Sequence, residues 1–417
     1  YGIGALDAVT TGDKNTAIGY NAGTALTEGT GYNVFVGWTA GSANTTGDFN
    51  TVLGAAALIA ATTSDNNIAI GPNAIQSSDT ETHNLAIGRD AMNVTNSGAE
   101  YNVAIGNYAL DALTSGDYNV AVGYNAGTAV TSSAANVFVG YEAGNGVTTG
   151  SYNIGIGMQT INQADAETNN VAIGYSALSA AVNGGEYNVC VGNYTLDALT
   201  SGDINTCVGN KAGSGVTTGT GNVLFGHQAG DYSTAVTTGN YNVCLGSYTR
   251  TSATGSANQI VIGEDIAGGE DNQITIGKAS NIIQNEFDTD NAWTQSSDVR
   301  KKKNIKDAVL GLDFVNDLRP VTYEWKPNNE FPKDFAEYSE ENHMTLDVTM
   351  HGMVAQEVKA ALDKTGVDRF GGWQEDSDGC QRLSKEMFVF PLIKAVQELS
   401  AQVTTLQQEI NTLKEGK

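Results

Sequence analysis

The residues best suited to chemistry lie in one short run, Ser296-Ser297-Asp298-Val299-Arg300-Lys301-Lys302-Lys303. A serine hydroxyl attacks a carbonyl only when a neighbour takes its proton, and a desolvated lysine amine can do so. A serine and a lysine five positions apart meet at one site only if the segment between them turns. The same run also reads as a basic linker, Arg300 to Lys303, beside two ordinary serines. On these residues alone the linker is the better reading.

Other reactive side chains are dispersed. His83, His227, His343 and His351 show no His-Glu-x-x-His motif and no partner at metal spacing. Cys190, Cys207, Cys244 and Cys380 form no Cys-x-x-Cys pair, so a zinc site is not expected. Asp48, Asp117 and Asp203 sit in Gly-Asp-x-Asn stretches and read as turn formers, because the Asp-x-Asp ladder of a calcium loop is missing. No phosphate-cradling loop occurs either, so neither metal nor cofactor is expected.

Any site must be carried by two differently composed regions. Residues 1–296 hold 5 Lys/Arg against 25 Asp/Glu, a net charge of −20, whereas residues 297–417 hold 16 against 21, a net charge of −5. An acidic, lysine-poor region argues against nucleic acid or anionic lipid as its partner and suits solubility. The 417 residues include 50 Gly and 5 Pro, with 40% apolar residues, so the chain can bury a core and is not a disordered tract. No run of eighteen apolar residues occurs, so no membrane insertion is expected. The chain opens at Tyr1 without an initiator Met, as a fragment would, and the absence of a leader carries no weight.

A five-residue unit punctuates the first region: Asn, three mostly apolar residues, Gly. Examples are Asn33-Val-Phe-Val-Gly37, Asn67-Ile-Ala-Ile-Gly71, Asn102-Val-Ala-Ile-Gly106 and Asn188-Val-Cys-Val-Gly192. From Gly19 to Gly246 the closing glycines recur every 17 or 18 residues, except for a last step of 20. A fixed short period means a solenoid. Three β-branched or apolar residues suit one short strand, and the rest of each unit reads as turns around one more, as in Asn21-Ala-Gly-Thr-Ala-Leu26. The fold class expected is therefore an all-β parallel β-roll or β-helix. The Asn can form a ladder or cap a turn. The Gly permits positive φ or close backbone approach.

Neighbouring strand residues point to opposite faces, and here both are apolar: Val103 and Ile105 on one, Ala104 on the other. The middle position is mostly small, including Ala121, Ala172, Cys190 and Cys207. Cys190 and Cys207, one period apart, read as stacked core residues rather than a disulfide. Two apolar faces imply that the outside is covered, most simply by sister chains. These repeats resemble the left-handed parallel β-roll heads of trimeric adhesins. Their repeat is nearer fourteen residues, which implies longer turns here.

The pattern stops near Gly277, and four of the five prolines follow it. The domains expected are a shaft over 1–283, a linker over 284–296 and a further domain over 297–417. The last region carries four blocks in order: Trp293 to Ile305, Leu318-Arg-Pro-Val-Thr-Tyr-Glu-Trp-Lys326, His351-Gly-Met-Val-Ala-Gln-Glu-Val358 and Phe390 to Leu399. This series closely resembles the intramolecular chaperone domain of phage tailspikes and fibres, the Peptidase S74 family. The family motif Ser-Asp-x-Arg-x-Lys is matched by Ser297, Asp298, Arg300 and Lys302.

That resemblance implies an α+β assembly factor that trimerises, aligns three shafts and leaves by self-cleavage. Ser297 would be the nucleophile and Lys302 the general base, acting once on the bond between Ser296 and Ser297, with Ser296 as a rival nucleophile. The C-terminal helix is expected over 391–414, with Leu392, Val396, Leu399, Val403, Leu406, Ile410 and Leu413 on a heptad seam. Its mix of Val, Ile and Leu favours dimers in isolation, so the homotrimer expectation rests on the shaft and the resemblance. The seam could also pack inside its own domain.

The function expected is a virion tail fibre or tailspike, assembled in the host cytoplasm, that binds a host cell-surface glycan or protein. A bacterial trimeric adhesin is an alternative, although that class ends in a membrane-anchoring barrel and this chain in a heptad helix. A glycan-depolymerising spike is another. It needs paired carboxylates in a groove, which distant rungs could supply, but no inserted domain interrupts the repeat.

Overall fold

Each Asn-x-x-x-Gly unit places its three central residues in one short strand, and consecutive strands stack in register. Val103, Ala104 and Ile105 pair with Val120, Ala121 and Val122, and the next rung continues the ladder. The computed structural model describes the chain apart from residues 12–13, 28–30, 78, 95–97, 164, 181–182, 288–296, 336, 343–347 and 416–417. It divides into two units, Tyr1–Ser296 and Ser297–Lys417.

The first unit is a parallel β-solenoid built on a 17-stranded sheet. Strands pair in parallel from Thr16–Ile18 to Gln273–Lys278, and Asn281–Glu286 folds back antiparallel on the last of them. Hydrogen-bonded structure thus runs to Glu286, into the segment expected to be a linker. The middle residue of each triplet points inward: Ala104, Ala121, Phe138, Cys190 and Cys207 are fully buried. Leu110, Leu113, Leu196 and Leu199 close the core from the turn side.

The interior is narrow, which explains the small middle residues. Where Phe138 occupies that position, glycine makes the room: a Cβ on Gly144 would lie 2.4 Å from its Cδ1. The closing glycines have a different cause. At Gly123, φ is +143° and a Cβ would lie 2.2 Å from the carbonyl oxygen of Gly140. Both expected roles of the glycine, positive φ and close backbone approach, apply at once.

The asparagines form the ladder. Asn119 N donates to Asn102 Oδ1 at 2.8 Å, and Asn119 Oδ1 accepts from Asn136 N at 3.1 Å. Asn119 Nδ2 reaches Ser133 O at 2.9 Å, so its buried amide is satisfied on both ends. The expected second strand, over Asn21 to Leu26, is a run of turns instead. Its amides still bond the next rung, Gly23 N to Ala40 O at 2.9 Å and Ala25 N to Ser42 O at 3.1 Å. Left-handed residues alternate there, with φ of 52° at Asn21 and 60° at Gly23, so the chain curls where a strand would extend.

Among its described residues the second unit has three α-helices: α1 (Leu312–Asp317), α2 (Ala355–Lys364) and α3 (Val389–Glu415). Two antiparallel pairs accompany them, Val321–Tyr323 with Met350–Gly352 and Trp373–Glu375 with Gln381–Leu383. Its core is small: Leu310, Phe314, Ala361 and Leu362, with Phe370 and Phe388 packed against them. Gly311 gives α1 no side-chain cap, and Glu398 of α3 supplies one by accepting from Leu312 N at 2.7 Å. Along α3 only Pro391 and Ala395 are buried, and Val396, Leu399, Val403, Leu406, Ile410 and Leu413 are exposed. The heptad seam is therefore not spent inside its own unit. Among the described residues, no helix is long and apolar enough to cross a membrane.

Candidate functional site

The serine and the lysine five residues apart do meet. Lys302 Nζ lies 2.6 Å from Ser297 Oγ. The meeting depends on one 3-10 turn, Val299–Lys301, which starts at Asp298 and ends as Lys302 N donates to Val299 O at 3.1 Å. Asp298 is extended, with φ −61° and ψ 134°, and its side chain accepts from Arg300 N at 2.8 Å. Arg300 then pairs back on the same carboxylate through Nε at 3.0 Å and Nη2 at 2.7 Å. Those bonds, the guanidinium first and the backbone amide second, hold the Asp298 carboxyl below the usual range.

The pair can do base-assisted acyl chemistry in outline. An ammonium at this distance donates to the hydroxyl; a free amine would accept the hydroxyl proton instead. A lysine becomes such a base when burial disfavours its charged form. In the single chain both Ser297 and Lys302 are exposed. Ser296, the acyl side of the expected scissile bond, lies outside the described residues.

The other residues singled out in the sequence have structural partners. Asp48, Asp117 and Asp203 each accept a backbone amide one rung back, from Gly31 at 3.0 Å, Glu100 at 2.8 Å and Glu186 at 2.9 Å. Cys190 and Cys207 pair in register as buried free thiols. Burial pushes the Cys207 thiol well above its ordinary value and the Cys244 thiol up to about 12. His343 lies outside the described residues. His83 stacks on Tyr101 at 4.8 Å, and His227 meets Tyr248 edge-on at 5.2 Å.

Two buried carboxylates, Glu81 and Glu167, belong to no motif in the sequence. Glu81 accepts from the amides of Asp79, Thr80 and Gly98 at 2.6, 3.0 and 2.9 Å. Glu167 accepts from Asp165, Ala166 and Gly184 at 2.8, 3.1 and 2.8 Å. Each also reaches into a rung of 18 residues, Gly88 to Gly106 or Gly174 to Gly192, and satisfies one amide there, that of Gly98 or Gly184. These are two of the three 18-residue spacings in the repeat, the third being Gly19 to Gly37.

Residues 297–367 match the family model Peptidase S74, described as the chaperone of endosialidase. The match begins at Ser297, the first residue of the second unit, and covers α1 and α2. None of the curated proteins compared matches the chain. A β-solenoid followed by such a segment is consistent with a tail fibre or tailspike carrying a C-terminal chaperone domain.

Proposed function

We propose that this chain is a tail fibre or tailspike of a virion, that it assembles as a homotrimer, and that its C-terminal unit directs assembly and then cuts itself off before Ser297. The observation that carries this reading is the 2.6 Å contact of Lys302 Nζ with Ser297 Oγ at the first residue of the matched segment. Chaperone domains of that family are linked to trimerisation. Two apolar surfaces suit the assembly. The outer strand residues of the shaft are open, with Val34 38% and Phe225 56% exposed, and the seam of α3 is open as well. Unpartnered apolar sheet faces of this length invite cover by sister chains.

The cut is an acyl shift. Lys302, as free amine, takes the Ser297 hydroxyl proton while Oγ bonds to the carbonyl carbon of Ser296. The bond from that carbon to Ser297 N breaks, the nitrogen takes a proton, and an ester joins the two serines. Water then opens the ester, leaving a carboxylate on Ser296 and a free hydroxyl on Ser297. Burial of Lys302 by assembly would couple the cut to a correctly formed trimer. The acidic shaft stays on the particle and meets a host cell-surface receptor, glycan or protein, after assembly in the host cytoplasm.

Denaturing electrophoresis with intact-mass measurement tests the reading, beside light scattering of the same samples. Wild type is expected to release a fragment starting at Ser297, and Ser297→Ala and Lys302→Ala to give whole chains in trimers. A wild-type chain that stays whole after trimerising defeats the mechanism. Cleavage that survives Ser297→Ala moves the attack to Ser296 or elsewhere.

A further inference from the structure

Asp298 and Arg300 are the residues between nucleophile and base that the acyl shift leaves without a task. Their geometry is specific. Asp298 Oδ1 accepts from Arg300 N at 2.8 Å and from Nε at 3.0 Å, and Oδ2 accepts from Nη2 at 2.7 Å. A carboxylate held by both prongs of a guanidinium and by one backbone amide is set in place and in plane. Those bonds close the turn Val299–Lys301, and the chain leaves it with Lys302 Nζ on Ser297 Oγ. Without a turn, five residues of extended chain would part Ser297 from Lys302 by about 16 Å.

We propose that the Asp298–Arg300 pair is a positioning clamp that brings the Lys302 amine to Ser297; the clamp's use in cleavage rests on the self-cutting reading above, but its geometry does not. A plain surface ion pair is the competing explanation, since the Arg300 side chain is 86% exposed and such pairs add little stability. The clamp differs from such a pair in where its bonds lie. All three fall between the two reacting residues in the chain, so its loss should show in the rate of the cut and leave assembly alone.

The test uses the full chain and two measurements. The first is the cleavage rate of assembled trimers. Asp298→Ala should slow the cut by about 100-fold, the scale of an ångström-level misplacement, with trimer yield unchanged. Asp298→Asn, which keeps an acceptor for Arg300 N but loses the ionic fork, should fall between. Arg300→Lys restores charge without the planar fork and should recover part of the rate lost in Arg300→Ala.

The second measurement does not need the cut. Acylation with acetic anhydride is read by mass spectrometry on peptides that still span Ser296 and Ser297. Lys302 should be labelled less than Lys301 and Lys303 in wild type, and equally with them in Asp298→Ala. Equal labelling of all three in wild type overturns the clamp, and so does an unchanged cleavage rate in Asp298→Ala. An uncut wild-type trimer that keeps a protected Lys302 defeats the cutting mechanism and upholds the clamp.

Discussion

The shaft and the C-terminal unit dispose of their polar groups in opposite ways. In the shaft, backbone and asparagine amides find partners one rung away, and the bonds repeat with the period of the sequence. Stability in such an array adds up rung by rung. The C-terminal unit has a core of a few residues and relies on contacts distant in sequence, as when Glu398 caps α1. Seven of the ten ion pairs among the described residues fall in this shorter unit, Arg319 with Glu357 and Lys364 with Asp317 among them. A periodic fold can be long because each part needs only its neighbours, whereas the other unit must assemble as a whole. Both leave apolar surface open, at the outer strand residues of the shaft and along the seam of α3.

The largest expected effect comes from separating the two regions. A gene ending before Ser297 should yield insoluble or monomeric shaft, measured by sedimentation of the soluble fraction. Abundant native trimer from that gene would show that the shaft assembles unaided. Next come single core substitutions, which should act unequally. Phe138→Ala removes a fully buried ring from the narrow interior and should destabilise the shaft by about 3–5 kcal/mol in chemical denaturation. Val403→Ala on the open face of α3 should shift a monomeric chain by under about 0.5 kcal/mol, and its cost should appear only in the assembled state. A large effect of Val403→Ala on the monomer would mean that the seam is already occupied.

The smallest effect separates the regions by thiol chemistry. Burial raises the pKa values of Cys190, Cys207 and Cys244, which disfavours their thiolates and closes access to them. Half-buried Cys380 is also raised, first by burial and then by the nearby Glu337 charge, yet it remains reachable from solvent. At pH 8 a thiol reagent should label Cys380 first and reach the shaft cysteines only after unfolding. Raising the pH toward 9 should speed Cys380 alone, because a thiolate forms as pH rises. Early labelling of Cys190 or Cys207 would mean that the rungs open locally.

Much of the shaft was legible because its determinants are local. Asn before the strand, Gly after it and a 17- or 18-residue period recur visibly, and strand register follows from the period. The turn run after each strand was not legible. Leu110, Leu196 and Ile161 have φ of 50°, 47° and 47° there, a left-handed geometry their residue types do not announce. Only stacking of each rung on the next holds such strained residues in place. The role of Glu81 was hidden for a related reason: its partner Gly98 becomes a neighbour only once the rungs stack.

At the candidate site the division is finer. The five-residue separation of Ser297 and Lys302, with Asp298 and Arg300 between them, is written in the chain, and family resemblance singled those residues out of a basic run. Their approach to 2.6 Å was decided by a folded turn, because separation in sequence limits distance without setting it. The sequence alone determined the solenoid, its period and the place where composition changes, since each depends on residues within one rung of each other. Tertiary structure decided that the seam of α3 stays open and that Glu398 caps a helix 86 residues away. Those outcomes depend on which surfaces meet in space, and no local pattern of residue types carries that information.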